Sequence, residues 1–159
     1  MNKVEKKSKK AFTLIELLIV IAIIAVLAAT IFVAVDPVKR FAEARNARRW
    51  SEIVSILDAV LTYAVDNDGS LPAGIPTVTA KMLGDAIVGC DNNCTARATA
   101  TACLDLTADL VDSYLAEMPK DPKTGTTAKT GYYIIKSANG RVEVGACEPE
   151  LGETIKVKR

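Results

Sequence analysis

The sequence predicts an α+β fold, in which a long N-terminal helix, half transmembrane and half amphipathic, packs on a small antiparallel β-sheet of about three strands. An apolar block fills residues 12–35, and an amphipathic helical pattern follows over residues 38–66. Short strand-like runs bounded by turn residues come toward the C-terminal end. Helices gathered in the first part of the chain and strands in the last indicate this fold class.

A basic leader opens the chain. Residues 1–10 hold five lysines and one glutamate and show no apolar periodicity, so they are assigned no structure. Without them, 15 Lys and Arg face 18 Asp and Glu, so the net charge changes from +1 to −3. That balance predicts no nucleic-acid partner. Lysines beside an apolar span keep that end of the chain cytoplasmic.

The apolar block predicts a membrane-spanning helix. From Leu17 to Val35, 19 residues carry no charge. As a helix they span about 28 Å, close to the roughly 30 Å hydrocarbon core of a bilayer. Asp36-Pro37 then predicts a kink or break, because proline lacks an N–H. The alternative is a conventional signal peptide or anchor, but the block is longer than such an apolar region and contains Glu16.

The amphipathic stretch extends the helix to Asp66, and Asn67-Asp68-Gly69 ends it. Its predicted inward stripe consists of Phe41, Ala44, Trp50, Ile53, Val54, Leu57, Val60, Leu61 and Ala64. Its predicted solvent face carries Lys39, Arg40, Arg45, Arg48, Arg49, Glu52 and Asp58. Such a charged face is normally solvated or paired between subunits.

The remainder predicts a small mixed unit. Residues 70–103 form a loop, with a short helical turn near Ala80–Val88. Residues 105–117 predict a short helix, and Asp121–Gly125 predicts a turn. The inward residues of that helix are Leu106, Leu110 and Tyr114, with Val111 as a further candidate.

A β-hairpin closes the predicted fold. Strand-like runs at Tyr132–Ser137 and Arg141–Ala146 flank Ala138-Asn139-Gly140, and Asn-Gly between such runs is a strong hairpin signal. Thr154–Lys158 predicts a third strand.

Four cysteines, all C-terminal to the apolar block, are disulfide candidates: Cys90, Cys94, Cys103 and Cys147. On the far side of a membrane they meet the oxidising compartment, where disulfides persist. Three pairings are possible, and the sequence does not choose among them. A four-thiolate zinc site is the alternative, but the two C-x-x-C knuckles usual for it are missing. Disulfides would fasten the loop region, and Cys147 would tie the hairpin's end to it.

Catalysis is not predicted. The chain has no histidine, which excludes Ser-His-Asp triads, Cys-His dyads and zinc-histidine sites. No nucleophile motif or phosphate-binding glycine loop is present either. We therefore expect no enzyme activity, no cofactor and no metal.

The stretch from Lys9 to Leu18 reads KKAFTLIELL. It resembles the type III signal sequence of type IV pilins and pseudopilins. The resemblance implies cleavage between Ala11 and Phe12 by a membrane prepilin peptidase, and methylation of the new Phe12 amine. The residue before the cut is usually glycine, and here it is Ala11. Glu16 matches the glutamate found five residues into the processed chain.

Glu16 also has a physical role of its own. A carboxylate within an apolar helix is costly in lipid unless it is paired. Opposite charges about 4 Å apart gain roughly 4 kcal/mol at an effective dielectric of 20, so Glu16 can pair with the Phe12 amine of a neighbouring subunit. The alternative is that Glu16 caps its helix or extends to the membrane interface.

The resemblance predicts a structural subunit of a type IV pilus-like extracellular filament. It implies a leader cleaved at 1–11, a filament-core helix over 12–37, its amphipathic half over 38–69 and a globular head over 70–159. Before assembly the chain would cross the cytoplasmic membrane once, with its N-terminus inside. Its partners would be copies of itself, the prepilin peptidase and the inner-membrane assembly machinery. The alternatives are a type II secretion pseudopilin and a membrane-tethered binding module that does not polymerise. Some pseudopilins bind calcium near their C-terminus, and Asp121 lies in a comparable loop, but no metal site is predicted.

Overall fold

The computed structural model describes residues 12–159, apart from the side chains of residues 33–35. The leader and the predicted cleavage residue Ala11 lie outside the described residues. The chain divides into two compact units, one ending at Arg40 and the other running from Phe41 to Arg159. The elements confirm the α+β class, with an apolar helix, a second helix and a four-stranded antiparallel sheet.

The first helix, α1, spans Leu14–Val35. It ends at Asp36, whose φ of 38° leaves the helical region. The second helix, α2, begins directly at Pro37, where the missing N–H costs nothing because first-turn N–H groups have no helical acceptor. The Asp36 carboxylate accepts the N–H of Lys39 at 3.3 Å. The predicted interruption at Asp36-Pro37 is therefore present.

The second helix spans Pro37–Asp66 and stops where the sequence predicts. Asp68 and Gly69 both have positive φ, 53° and 83°, which ends the helical path. The Gly69 N–H bonds back to the Ala64 carbonyl at 2.7 Å.

The buried stripe of α2 differs from the predicted one. Phe41 and Trp50 are 65% and 41% exposed, whereas Arg49, predicted on the solvent face, is fully buried. Ile53 and its apolar neighbours define the buried face of α2, and Arg49 lies on that face because it is about one helical turn before Ile53. A residue one position before or after Arg49 is rotated by about 100° around the helix axis, away from the buried face. The buried residues are Ala42, Asn46, Arg49, Ile53, Ile56, Leu57, Ala59 and Val60.

The sheet has the order β1-β2-β3-β4, and all three pairings are antiparallel. Its strands are Lys81–Met82 (β1), Tyr132–Lys136 (β2), Val142–Ala146 (β3) and Lys156–Lys158 (β4). The hairpin between β2 and β3 is as predicted, and Gly140 at φ 80° makes its turn. The prediction of about three strands was short by one. The strand β1 lies where a helical turn was predicted, because two residues are too few to show alternation.

The two faces of the sheet bury different clusters. Ile134 and Val144 belong to the main core, together with Ile53, Leu57 and Val60 of α2. The alternate residues of β2, Tyr133 and Ile135, belong to a second cluster with Cys90, Cys94 and Cys147. Side chains of a strand alternate between faces, so the sheet lies between α2 and the cysteine-containing loop.

The helix predicted over residues 105–117 is wrong in length. Only Thr107–Leu110 (α3) is helical. Val111 is extended, with ψ 147°, and Asp112 has φ 72°, so the chain leaves the helical region at once. The predicted inward residues Leu106 and Leu110 are buried. Their spacing of four residues gives the sequence a helical pattern, although the helix itself is short.

Candidate functional site

The first turn of α1 holds the predicted assembly residue. Thr13 is the N-cap, and its hydroxyl oxygen accepts the N–H of Glu16 at 3.2 Å. In return the Glu16 Oε2 accepts the Thr13 N–H at 2.9 Å and its hydroxyl at 2.8 Å. This reciprocal capping box satisfies first-turn N–H groups that have no helical acceptor.

The capping box leaves half of the Glu16 carboxylate available. All three contacts with Thr13 use Oε2 or the Glu16 backbone, and Oε1 accepts no hydrogen bond within the described chain. Phe12, the residue before the cap, is 87% exposed. Glu16 thus has the capping role given as an alternative, while one oxygen stays free for a cation.

The rest of α1 presents an apolar surface without a partner. Leu14–Phe32 is a 19-residue stretch long and apolar enough to cross a membrane, and none of it is buried within the described residues. Its exposed residues include leucines, isoleucines, valines and Phe32. In water such a surface is unfavourable at about 25 cal/mol per Å², so the helix requires lipid or other helices.

Residues 6–32 match the family described as the prokaryotic N-terminal methylation motif. The chain carries the type IV pilin and pseudopilin signal. The match includes the second half of the basic leader, the predicted cleavage position, the Thr13–Glu16 cap and the whole of the membrane-length stretch Leu14–Phe32. Neither curated proteins nor solved structures give a significant match to the chain. The motif supports a protein of the type IV pilin or pseudopilin class.

The second unit of the chain contains two disulfides. Cys90 pairs with Cys103, and Cys94 pairs with Cys147. The structure thereby selects one of the three pairings that the sequence left open. The first bond closes the 90–103 loop on itself, and the second joins that loop to the residue after β3. All four cysteines are used, so the thiolates that a zinc site would need are not available.

The second unit contains a buried cluster of charged side chains that was not predicted from the sequence. The Arg49 guanidinium donates to both carboxylate oxygens of Asp121, at 2.6 and 3.0 Å, and both side chains are fully buried. It also donates to Asn46 at 2.8 Å and to Glu150 at 2.9 Å. Arg45 binds Glu150 through two further hydrogen bonds, of 2.6 and 2.7 Å.

These contacts shift the pKa values of the cluster. Burial alone would lower the pKa of Arg49, but its hydrogen bonds with Asp121 and Glu150 outweigh burial and raise it. Burial likewise acts to raise the pKa of Asp121, yet the hydrogen bonds from Arg49 and two backbone N–H groups hold it below its ordinary value. The hydrogen bonds from Arg45 hold the pKa of Glu150 well below its usual range. The two arginines and the two carboxylates of the cluster are therefore charged at neutral pH.

The cluster joins three parts of the second unit. Asp121 begins the turn at residues 121–125 and accepts the backbone N–H groups of Lys123 and Thr124 at 2.9 and 3.1 Å. Glu150 lies three residues after Cys147, and its backbone N–H and carbonyl both bond to Asn46. The helical spacing of Asn46, Arg49 and Ile53 was the signal that could have revealed it, since polar residues on a buried stripe need buried partners.

The contacts of Asp121 also argue against calcium binding at its carboxylate. Both carboxylate oxygens already accept hydrogen bonds, and the Arg49 cation lies where a metal ion would have to bind. Among residues 12–159, no group of three or more acidic, cysteine or histidine side chains is arranged to hold a metal.

Proposed function

We propose that this chain is a structural subunit of a type IV pilus-like extracellular filament. The observation that carries the proposal is the methylation motif at residues 6–32, whose apolar part forms most of α1, a helix with no charged residue apart from Glu16. A helix of this kind is stable in a bilayer before assembly. In a filament core, neighbouring helices would replace the lipid contacts.

Processing would create a positively charged amine in front of α1, which has no positive charge of its own. Cleavage between Ala11 and Phe12 leaves an amine at Phe12, which is then methylated. The free Oε1 of Glu16 then pairs with the Phe12 amine of a neighbour, while Oε2 keeps its contact with Thr13. The gain of roughly 4 kcal/mol at an effective dielectric of 20 favours one register between subunits.

The partners proposed from this role are other copies of the chain, the prepilin peptidase and the inner-membrane assembly machinery. The chain begins as a single-pass protein of the cytoplasmic membrane, with the leader lysines inside. The role is structural and involves no catalysis. A pseudopilin of a type II secretion system is the second candidate, because the same motif occurs in that class.

Mass analysis of protein sheared from cells tests the proposal. We expect an N-terminus at Phe12 that carries one extra methyl group. A start near Thr30, or an uncut Met1, would contradict it and leave a secreted or tethered domain. Long surface filaments would favour a pilus, whereas a methylated Phe12 with subunits confined to the periplasm would favour the pseudopilin.

Substitution of Glu16 separates a filament subunit from a tether. Glu16→Ala should abolish or disorder assembly in a pilin-class subunit while the chain still inserts in the membrane. A membrane-tethered module that never polymerises would behave like the wild type. Ala22→Val, a change at an exposed apolar position of the same helix, is the matched control for altered membrane insertion.

A further inference from the structure

The disulfide-bonded loop contains a short sequence that N-glycosylation enzymes recognise. Asn93-Cys94-Thr95 has the Asn-x-Ser/Thr pattern, in which the middle residue is anything but proline. None of the five other asparagines has a serine or threonine two residues later. Asp91 stands two residues before Asn93, where some bacterial enzymes of this type prefer an acidic residue. Because so short a pattern also occurs by chance, its surroundings in the folded chain matter.

The Asn93 side chain has a free nitrogen at the surface. Asn93 is exposed, and its Oδ1 accepts a hydrogen bond from the Lys129 ammonium at 3.2 Å. Its Nδ2 donates no hydrogen bond to any other residue in the described range 12–159. N-glycosylation replaces one hydrogen on this nitrogen and leaves the amide oxygen as an acceptor. The folded loop therefore accommodates a sugar on Asn93 without losing the Lys129 contact.

Two uncovered apolar side chains lie close to Asn93. Ile87 and Val88 are 81% and 65% exposed. The Lys129 ammonium that contacts Asn93 also donates to the carbonyl of Gly89, the residue after Val88, at 2.8 Å. Adjacent exposed apolar side chains favour association with other molecules. A hydrated glycan on Asn93 would extend beside this pair and cover it.

The folded loop can hold a sugar but is a poor acceptor for one. Cys94 is buried and bonded to Cys147. The hydroxyl and the N–H of Thr95 both donate to the Cys147 carbonyl, each at 3.1 Å. The pattern requires a hydroxyl residue, so the enzyme must reach that hydroxyl while it holds the asparagine. Closure of the Cys94–Cys147 bond therefore competes with modification.

We propose that Asn93 is N-glycosylated on the oxidising side of the membrane before Cys94 pairs with Cys147. The Asn93 Nδ2 attacks the anomeric carbon of an oligosaccharide linked to a lipid diphosphate. A carbon–nitrogen bond forms, the anomeric carbon–oxygen bond breaks, the lipid diphosphate leaves, and one Nδ2 proton passes to a base of the enzyme. The inference rests on the proposed membrane topology and does not require filament assembly.

Peptide mass spectrometry of the chain isolated from the cells that make it tests the modification. After reduction, trypsin releases residues 82–97 as one peptide, which contains Asn93 but not Thr99 or Thr101. We expect a fraction of this peptide to carry an oligosaccharide, and electron-transfer fragmentation to place it on Asn93. A wholly unmodified peptide, or a sugar on Thr95 instead, would overturn the proposal.

Substitutions within the pattern identify the acceptor. Asn93→Gln removes the acceptor and Thr95→Val removes the hydroxyl at nearly constant shape, so each should lower the modified fraction about tenfold or more. Thr95→Ser keeps a hydroxyl and should keep the modification. Asn92→Gln is the matched control, since it makes the same change at an exposed neighbour that does not match the pattern. An equal loss in Asn92→Gln and Asn93→Gln would contradict Asn93 as the acceptor.

Removal of the competing bond tests the order of events. Cys94→Ser with Cys147→Ser keeps the Asn-x-Thr pattern and prevents closure, so the modified fraction should rise several-fold. Cys90→Ser with Cys103→Ser removes the other disulfide and should raise it less. An unchanged fraction after loss of the Cys94–Cys147 bond, or complete modification of the wild type, would overturn the proposed order. These fractions are read from peptides, so the variants need not fold.

The N-terminal peptide of the same digest reports on the proposed filament subunit separately. Glycosylated Asn93 in a chain that still starts at Met1 would keep this inference and reject the processing that the filament requires. A methylated Phe12 together with unmodified Asn93 would reject this inference and keep the proposed filament subunit.

Discussion

The Arg49 guanidinium and the Asp121 carboxylate face each other through two hydrogen bonds, and neither side chain has any exposed surface. Arg49 belongs to α2, whereas Asp121 begins a turn 72 residues further along the chain. A charge buried in this way is tolerated only where its partners satisfy it. The pair therefore fixes how the 121–125 turn packs on α2.

Arg49→Met should destabilise the second unit strongly. The substitution keeps much of the side-chain volume but leaves Asp121 buried and without its cation. Loss of one partner of a buried pair typically costs about 3–5 kcal/mol. Denaturant unfolding of the full chain in detergent, followed by tryptophan fluorescence of Trp50, measures the change. The matched control is Arg48→Met, which removes an exposed pair with Glu52 and should have only a small effect. Equal losses in the two variants would contradict a special role for Arg49.

Stability should fall in acid because of the same cluster. Contacts with Arg45 and Arg49 hold the pKa values of Glu150 and Asp121 below their ordinary values of about 4. A depressed folded-state pKa contributes stability that is complete above the unfolded pKa and is lost as the pH falls toward the folded one. The thermal midpoint should therefore be flat above about pH 5 and decline below it.

Glu150→Gln isolates one part of that pH dependence. Glutamine keeps the shape of the side chain but does not titrate, so the variant should be less stable near neutral pH and should lose less stability below about pH 5. Glu153→Gln is the control at an exposed position nearby. An acid decline as steep in Glu150→Gln as in the wild type would show that other groups cause it.

The two disulfides should contribute unequally. The Cys94–Cys147 bond spans 53 residues of sequence and the Cys90–Cys103 bond spans 13. Loop-closure entropy gives about 4 kcal/mol for the longer span and about 3 for the shorter one. Replacing Cys94 and Cys147 by alanine should therefore lower the denaturation midpoint more than replacing Cys90 and Cys103. The reverse order would show that local packing outweighs loop length.

The sequence predicted what depends on neighbouring residues. The apolar block of α1, the break at Asp36-Pro37, the stop at Gly69 and the Asn139-Gly140 turn each have a local physical cause, and the structure has each of them. Helix capping was part of the alternative interpretation of Glu16, and the structure shows a capping box there.

The sequence did not predict what depends on distant residues. Arg49 looks like a surface residue until Asp121 and Glu150 are known to lie beside it. The disulfide pairing and the strand β1 likewise depend on contacts between segments that the local pattern does not connect, with spans of 13 and 53 residues for the disulfides and Lys81 opposite Ile134 in the sheet. The helix predicted over residues 105–117 failed because buried leucines occur at helical spacing in a segment that is helical for only four residues.

Glu16 has two roles that substitution can separate. Glu16→Gln keeps an oxygen that accepts from Thr13 but removes the negative charge, because glutamine also forms capping boxes. Thr13→Ala does the opposite, since it removes the hydroxyl of the cap and leaves the Glu16 carboxylate charged. If pairing with the Phe12 amine drives assembly, Glu16→Gln should lose filaments while Thr13→Ala retains them. Filament yield by shearing, with the membrane level of each variant as reference, measures both. Normal filaments from Glu16→Gln together with their loss in Thr13→Ala would assign the importance of Glu16 to capping alone.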